Sequence, residues 1–353
     1  MKIALITDTH WGVRNDSIAF MDNSKKFLDE VFFPTIKREA IQTVVHLGDL
    51  VDRRKYINIR TASRLRKDFL EPLANGGYDV HFIAGNHDTY FKNTNTVNAL
   101  RELVVGKYDF KVHDQLPIEW TFNGTNVLML PWICDENREA SLHAIRTTSA
   151  QIVMGHLELQ GFEMFRGSIV SHGDDPSLFN RFDLVMSGHY HHRSSSGNIH
   201  YLGSHAEFTW SDYSDPRGFH IFDTKTRELT FVENPYRMFK KVWYNDADPN
   251  FLNMNVDYTQ FQNTMLKVIV SNNNNPVWFD KFISNIEQEN PVDIQIVEDH
   301  LNLNLEEDTD IVNEAESTID IFKKYISGFD EKVNKVKLEN KIVEIYNEAL
   351  SIE

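Results

Sequence analysis

The chain has little cysteine, a deficit of positive charge and no long apolar run. A single cysteine, Cys134, in 353 residues excludes an internal disulfide framework and suits a reducing compartment. Set close to Pro131 and Trp132, it reads as a buried thiol. No apolar stretch approaches the roughly 20 residues that span a bilayer. The opening MKIALITDTHWG turns acidic too soon for a secretory signal. A cytoplasmic protein with no membrane partner is therefore expected. Hydrophobic residues make up 41% of the chain, enough for one large domain with something smaller attached.

The shortage of positive charge is uneven. The chain carries 36 Lys and Arg against 52 Asp and Glu, a formal charge of −16. Residues 1–235 hold 25 basic and 30 acidic side chains, and residues 236–353 hold 11 and 22. The C-terminal third thus carries most of the excess. It is poorly suited to a polyanion such as DNA, whereas the first part would come close to neutral with two bound divalent cations.

What is present is a set of five short motifs in one order: Asp8-Thr9-His10, Gly48-Asp49-Leu50-Val51-Asp52, Gly85-Asn86-His87-Asp88, Gly155-His156 and Gly188-His189-Tyr190-His191. Each ends or follows an apolar, β-branched run (KIALIT, TVVHL, DVHFIA, AQIVM, FDLVM) of the kind that forms a buried strand. In layered α/β folds such strand ends converge to build a site. Carboxylate, imidazole and amide donors together suit divalent metals of intermediate hardness. Two such ions a few ångströms apart ionise a bridging water and clamp phosphate oxygens, the requirements of phosphodiester hydrolysis.

The order and residues of these motifs resemble the calcineurin-like metallophosphoesterases. The resemblance implies a two-sheet α/β sandwich flanked by helices and a metal-dependent phosphodiesterase. It implies that Asp8, His10, Asp49 and His191 hold one ion, that Asp49, Asn86, His156 and His189 hold the other, and that Asp49 bridges. It makes His87 the non-ligand histidine that acts on the leaving oxygen or the developing charge, with Asp52 as its orienting carboxylate. Some nucleases of the group have histidine at the position of Asp52, so that role is the least firmly carried over. Four imidazoles favour manganese over magnesium. Asp88 reads as a loop-ordering carboxylate. His46, His81, His113 and His220 read as packing residues, His192 is unassigned, and His205 is placed at the pocket wall.

The stretch after the fifth motif, with Tyr201-Leu202-Gly203-Ser204 and Gly218-Phe219, resembles the nuclease subunits that partner SMC-like ATPases, the bacterial SbcD type. GHLELQGFEMFRG and Asp215-Pro216-Arg217 are more narrowly similar to the recombination endonuclease subunits of T-even-type phages, which would place the protein in a bacterial host's cytoplasm. That resemblance implies DNA as substrate, a role in recombination, repair and replication, an SMC-like ATPase partner and a homodimer. The segment RRKYINIRTASRLRK sets Arg53, Arg54 and Lys55 beside the second motif, where they are candidate phosphate contacts. The alternatives are a calcineurin-like phosphatase or phosphodiesterase acting on a non-DNA substrate, which the acidic charge suits, and a degenerate, non-catalytic platform.

Helices are expected over Asn15–Ala40, kinked or stopped at Pro34, over Ile57–Asn75, ended by Gly76-Gly77, and over Asn137–Ser149. Hairpins are expected at Asn123-Gly124 and near Lys225. The domain reading is a nuclease domain over 1–235, an α+β cap over 236–300, an acidic linker over 301–311 and a helical ATPase-binding tail over 312–353. In that tail Val312, Ala315, Ile319, Phe322 and Ile326 recur at helical spacing.

Overall fold

In the strand Lys2–Ile6, Ile3 and Leu5 face one side, Ala4 and Ile6 the other, and all four are buried. A strand covered on both faces reads as an unbroken apolar run, which explains KIALI. The computed structural model describes residues 1–252 and 256–298. Ile3 and Leu5 meet Val127, Met129, Ile152, Met154 and Met186 of a second sheet, while Ala4 and Ile6 pack under helices through Phe27, Phe32, Phe69 and Leu73.

Each of the two sheets has six strands. The first runs Leu229–Glu233, Gly218–Asp223, Lys2–Ile6, Thr43–His46, Asp79–Ile83, Lys111–His113. The second runs Ser194–Ser196, Ile199–Tyr201, Leu184–Gly188, Ile152–His156, Thr125–Leu130, Ile118–Phe122. The strands that precede the motifs are parallel within each sheet, so their C-terminal ends share one edge of the sandwich. The expected α/β sandwich is the observed fold.

Both long helices carry an irregular turn, where the sequence predicts a kink or stop at Pro34 in the first and an unbroken helix in the second. The first is Ile18–Phe27, a wide π-type turn Leu28–Phe32, then Phe33–Arg38. The second repeats the device: Ile59–Leu65, a wide turn Arg66–Leu70, then Glu71–Asn75. In each, a proline follows the wide turn, Pro34 in one and Pro72 in the other. A proline lacks the N–H and crowds the carbonyl four residues back; widening the preceding turn relieves both problems, so the helix continues. The Asn123-Gly124 turn has both residues left-handed (φ 47° and 82°) and joins the Ile118–Phe122 and Thr125–Leu130 strands as expected. Cys134 is buried.

Beyond residue 235 a third sheet of three parallel strands forms from Phe239–Asn245, Met265–Asn272 and Asp293–Glu298. One face packs on the helix Pro276–Gln288, burying Val242, Tyr244, Leu266 and Val268 against Phe282 and Ile286. Asn275 caps that helix through the Trp278 N–H and Pro276 opens it. Met1–Glu298 packs as one unit, and Phe20, Phe208, Trp210, Met238 and Phe239 join this small sheet to the sandwich. The acidic linker and helical tail expected over 301–353 lie outside the described residues.

His81 and His113 are stacked face to face between the two sheets, His81 Nδ1 lying 3.0 Å from His113 Nε2. Burial pushes His113 down to about 4, and it also lowers His81 against the pull of Asp79; Lys111, which pairs with Asp79, disfavours its charge further. Their folded values lie below the unfolded value of about 6.5, so the unfolded state binds more protons in between. Their contribution to stability is complete above pH 6.5 and is lost as pH falls toward 4. The urea midpoint is expected to fall between pH 7 and pH 5, and to fall less in His113→Gln. An equal drop in both proteins would show that the histidine pair does not set this pH dependence.

Candidate metal centre

The ligand loops lock onto one another before any ion is considered. Asp8 N–H donates to Gly48 O, His10 N–H to Asp49 O and Trp11 N–H to Leu50 O, and Asp52 N–H returns to Trp11 O. The buried Asp88 carboxylate joins the third loop to the second, accepting from Leu50 N–H (2.8 Å), Val51 N–H (3.2 Å) and Gly85 N–H (2.9 Å). Burial and the neighbouring Asp49 push its carboxyl up to about 7. Its contacts are those of a loop-ordering carboxylate.

Three motif glycines are present because ligands, or the residue beside one, occupy the space a side chain would need. A Cβ on Gly48 would overlap His156 Nδ1, one on Gly85 would overlap the Asp49 carboxylate, and one on Gly188 would overlap Thr7 Oγ1 beside Asp8. The ligands themselves are held in left-handed backbone: Asp8 (φ 50°), His10 (φ 43°), Asp49 (φ 55°) and His189 (φ 92°). Such strain in non-glycine residues persists only where the surroundings over-determine it, and it concentrates at functional sites.

The seven expected ligands are brought together in two sets. His10 Nε2 lies 3.0 Å from His191 Nε2, 3.9 Å from Asp8 Oδ1 and 3.7 Å from Asp49 Oδ2. On the other side His156 Nε2 lies 3.3 Å from Asp49 Oδ2 and 3.0 Å from Asn86 Oδ1, and His189 Nδ1 lies 2.9 Å from Asn86 Oδ1. Ligands about 2.1 Å from a common ion and at right angles to each other sit about 3.0 Å apart. The closest of these separations match that spacing, and Asp49 Oδ2 is shared by both sets. The residues fit two divalent ions, the donor chemistry being three oxygen side chains and four imidazoles. His156 Nδ1 donates to Leu47 O at 2.8 Å, which turns Nε2 toward the site as the atom that would coordinate once its proton is displaced by metal.

The electrostatics suit cations. Burial opposes charge on Asp49, but the histidines around it, His156 first, hold its carboxyl well below the usual range. Burial also opposes charge on His156, yet Asp49 and Asp8 push it up to about 9. Burial, reinforced by the neighbouring imidazoles, lowers His189 and His191, and neutral imidazole is the form that coordinates.

His87 sits beside the first set. Its N–H donates to Asp49 Oδ1 at 2.7 Å and its Nδ1 lies 2.6 Å from Asp52 O. The expected orienting role of Asp52 takes another form here: it holds His87 through its main-chain carbonyl, while its carboxylate lies 3.5 Å from His10 Nδ1. Ligand atoms of His10, Asp52 and His87 all fall within 4.8 Å of one another.

The candidate phosphate contacts separate. Arg53 turns away, pairing with Asp16 (2.8 Å) and Asn15 (2.7 Å). Arg54 lies over the Trp132 ring at 4.9 Å and feels Asp49, so it borders the centre. Lys55 is exposed. Farther along, Arg64 pairs with Asp22 and Asp68, and Arg66 with Glu71; these form a solvated helix face. His192 is engaged by Asp215 at 2.8 Å and Glu163 at 3.4 Å. His205, expected at the pocket wall, is instead buried behind it, 3.0 Å from Ser24 Oγ. His46 packs behind the site against Thr9 Oγ1 at 2.9 Å.

Two supports of the His156 loop were not foreseen from the sequence. Tyr201 OH donates to Leu157 O and accepts from Leu159 N–H, and Ser187 Oγ accepts from Leu157 N–H. Their signal is a hydroxyl in a buried strand, which must find a partner.

Two strand-end donor sets sharing one carboxylate, at one edge of a two-sheet sandwich, form an arrangement that could hold divalent metal and hydrolyse a phosphoester. The family model for calcineurin-like phosphoesterases matches residues 1–193, more than half the chain, and the protein belongs to that family of metal-dependent hydrolases. Among its relatives, exonuclease subunit 1 of Enterobacteria phage T4 is 34% identical over 275 residues, 77% of each chain. The SbcD component of the SbcCD nuclease of Staphylococcus saprophyticus is 26% identical over 65% of this chain and 67% of its own, and that of Staphylococcus epidermidis 24% over 66% and 69%. Among the described residues no helix is long and apolar enough to cross a membrane.

The glycine geometry is directly testable. Gly48→Ala places a Cβ on the His156 ring at φ +103° and is expected to cost about 3 kcal/mol, the upper part of the usual range. Gly77→Ala, at φ +67° with open space around it, should cost only about 1 kcal/mol. Equal urea midpoints for the two variants would show that ligand crowding does not constrain Gly48.

Proposed function

We propose that the protein is a DNA nuclease subunit that hydrolyses phosphodiester bonds at the Asp49-centred site, with manganese as the working metal. The carrying observation is the pair of ligand sets sharing Asp49 Oδ2, with His87 beside them. The nuclease names of the relatives support the choice of DNA. Bound there, two divalent ions supply charge neutralisation for the phosphate and an ionised water as nucleophile. Asp8, His10, Asp49 and His191 hold the first position, and Asn86, His156 and His189 with Asp49 hold the second. His87, fixed through Asp52 O and its own N–H to Asp49, presents Nε2 to the substrate, where it stabilises the developing charge or protonates the leaving oxygen. Arg54 is the arginine placed to meet a phosphate; Arg53, held by Asp16, orders the loop instead. That the chain works as one subunit with a partner is supported by the names of the relatives; the SMC-like ATPase as that partner, the homodimer and the C-terminal segment as contact surface are carried by the sequence resemblance alone.

Manganese-dependent digestion of end-labelled duplex DNA, with phosphopeptides as the comparison substrate, tests the reading. Asp49→Asn should lose metal binding and nearly all turnover. His87→Ala should retain both ions by calorimetry and lose turnover at least a hundredfold. Loss of metal in His87→Ala would make it a ligand, and preference for phosphopeptides would replace the nuclease reading with a phosphatase.

Partner binding is tested separately. Truncation after Asp310 is expected to leave metal-dependent phosphodiesterase activity intact and to abolish co-purification with an SMC-like ATPase. A truncated chain that still co-purifies at full strength would move the contact into residues 1–310, first of all to the α+β module that follows residue 235.

A further inference from the structure

Three residues between the fifth motif and the small third sheet tie the two together. The Phe208 ring packs edge-on against His10 (centroids 5.7 Å apart) and His191 (5.8 Å), both ligands of the first metal position. It also meets His205 at 5.7 Å. Next in sequence, the buried Glu207 reaches the other way. Its Oε2 accepts from Met238 N–H at 2.7 Å and Phe239 N–H at 2.9 Å, where the third sheet begins. Its Oε1 is buried without a hydrogen-bond partner. Arg14 closes the triangle: Nε donates to Phe208 O at 2.7 Å, and the guanidinium lies 6.0 Å from the Phe239 ring centroid. Arg14 gets there through three successive left-handed residues, Arg14, Asn15 and Asp16 (φ 52°, 59° and 60°). A left-handed run of non-glycine residues is costly and needs a compensating contact.

We propose that Phe208 is a positioning residue for the imidazoles of the first metal position, and that Glu207 and Arg14 make its placement depend on the seating of the third sheet. The physical basis is that an imidazole offers its lone pair along one line only, so a ring free to tilt coordinates poorly. His156 is fixed by a hydrogen bond to Leu47 O, whereas His10 Nδ1 has only the 3.5 Å approach of Asp52 and no hydrogen bond. Packing by Phe208 supplies the restraint that a hydrogen bond from behind the ligand supplies elsewhere. Any partner or substrate that shifts the third sheet would then alter the hold on one ion and leave the other. This rests on the two-ion reading of the centre.

Manganese titration of the full-length protein by calorimetry tests both. Wild type should take up two ions; uptake of fewer would sink the two-ion reading itself. In Phe208→Leu, affinity for one ion should fall at least tenfold while the other is retained. Phe208→Met, whose longer, unbranched and adaptable side chain can still reach both imidazoles, should show the same split more mildly, and it decides the matter if the leucine variant does not fold. Glu207→Ala, which touches no ligand, should weaken the same ion. Glu207→Gln should restore it, because an amide oxygen still accepts from both N–H groups and burial pushes the native carboxyl up to about 7. Two ions bound as in wild type by the Phe208 variants, or parallel loss of both, would overturn the positioning role. Wild-type binding by Glu207→Ala would overturn the link to the third sheet.

Discussion

The site depends on a single close approach, the insertion of the Asp49 carboxylate between the two sheets. Oδ2 faces His10 on one side and His156 on the other, and Oδ1 accepts the His87 N–H. That requires the Thr43–His46 strand to end in Gly48, whose missing Cβ admits the His156 ring, and the Asp79–Ile83 strand to end in Gly85, whose missing Cβ admits Asp49 itself. A carboxylate so deeply buried would be neutral if alone. Surrounding imidazoles keep it charged, and divalent ions would do so more strongly. Stability and function therefore pull in opposite directions here: the loops carry left-handed strain at four ligands, and Asp88 and the main-chain ladder between the first two loops offset it.

Much of this was legible in the sequence because the five motifs combine two kinds of signal. Apolar runs locate the strands, and donor residues directly after them locate the edge at which they converge. Each of the seven candidate donors sits close to a strand end, and the resemblance to the calcineurin-like family set them apart from neighbours such as Asp88 and His192. What lay farther off was not readable. Asp52 follows its strand by several residues, and nothing in the sequence separates a carboxylate that faces His10 from one that faces His87. Arg53 and Arg54 are adjacent and chemically alike; the buried Asp16, 37 residues earlier, decides which of them turns inward. His205 was placed at the pocket wall from sequence proximity to the fifth motif, but the chain passes behind the ligands there, and Ser24 holds it.

The helices show where local rules and tertiary packing disagree. Pro34 predicts a kink or a stop in the first helix, and the apolar face decides against the stop by continuing through Ile36, which is fully buried. Pro72 sits likewise just ahead of the buried Leu73. In both cases burying one more turn of apolar surface favours continuation, and a single widened turn accommodates the ring at little cost in hydrogen bonds. The wide turns also rotate the register of the apolar stripe, so Phe32 and Phe69, one in each, meet at 6.4 Å over the first sheet. A strict 3.6-residue reading of either sequence would misplace its second half.

Charge distribution limits how a polyanion could be drawn to this edge. The helix after the second motif carries Arg60, Arg64 and Arg66, but Asp16, Asp22, Asp68 and Glu71 answer them through backbone or side-chain contacts. Little of that basic stripe is left to attract a polyanion. Positive charge close to the cleft is then carried by Arg54 and the exposed Lys55, and by the ions that the ligand sets would hold. Coulomb attraction by two divalent ions in a partly desolvated cleft exceeds that of a few solvated arginines. In an acidic chain, substrate attraction and catalysis would thus depend on the same ions, and losing them would weaken phosphate binding as well as turnover.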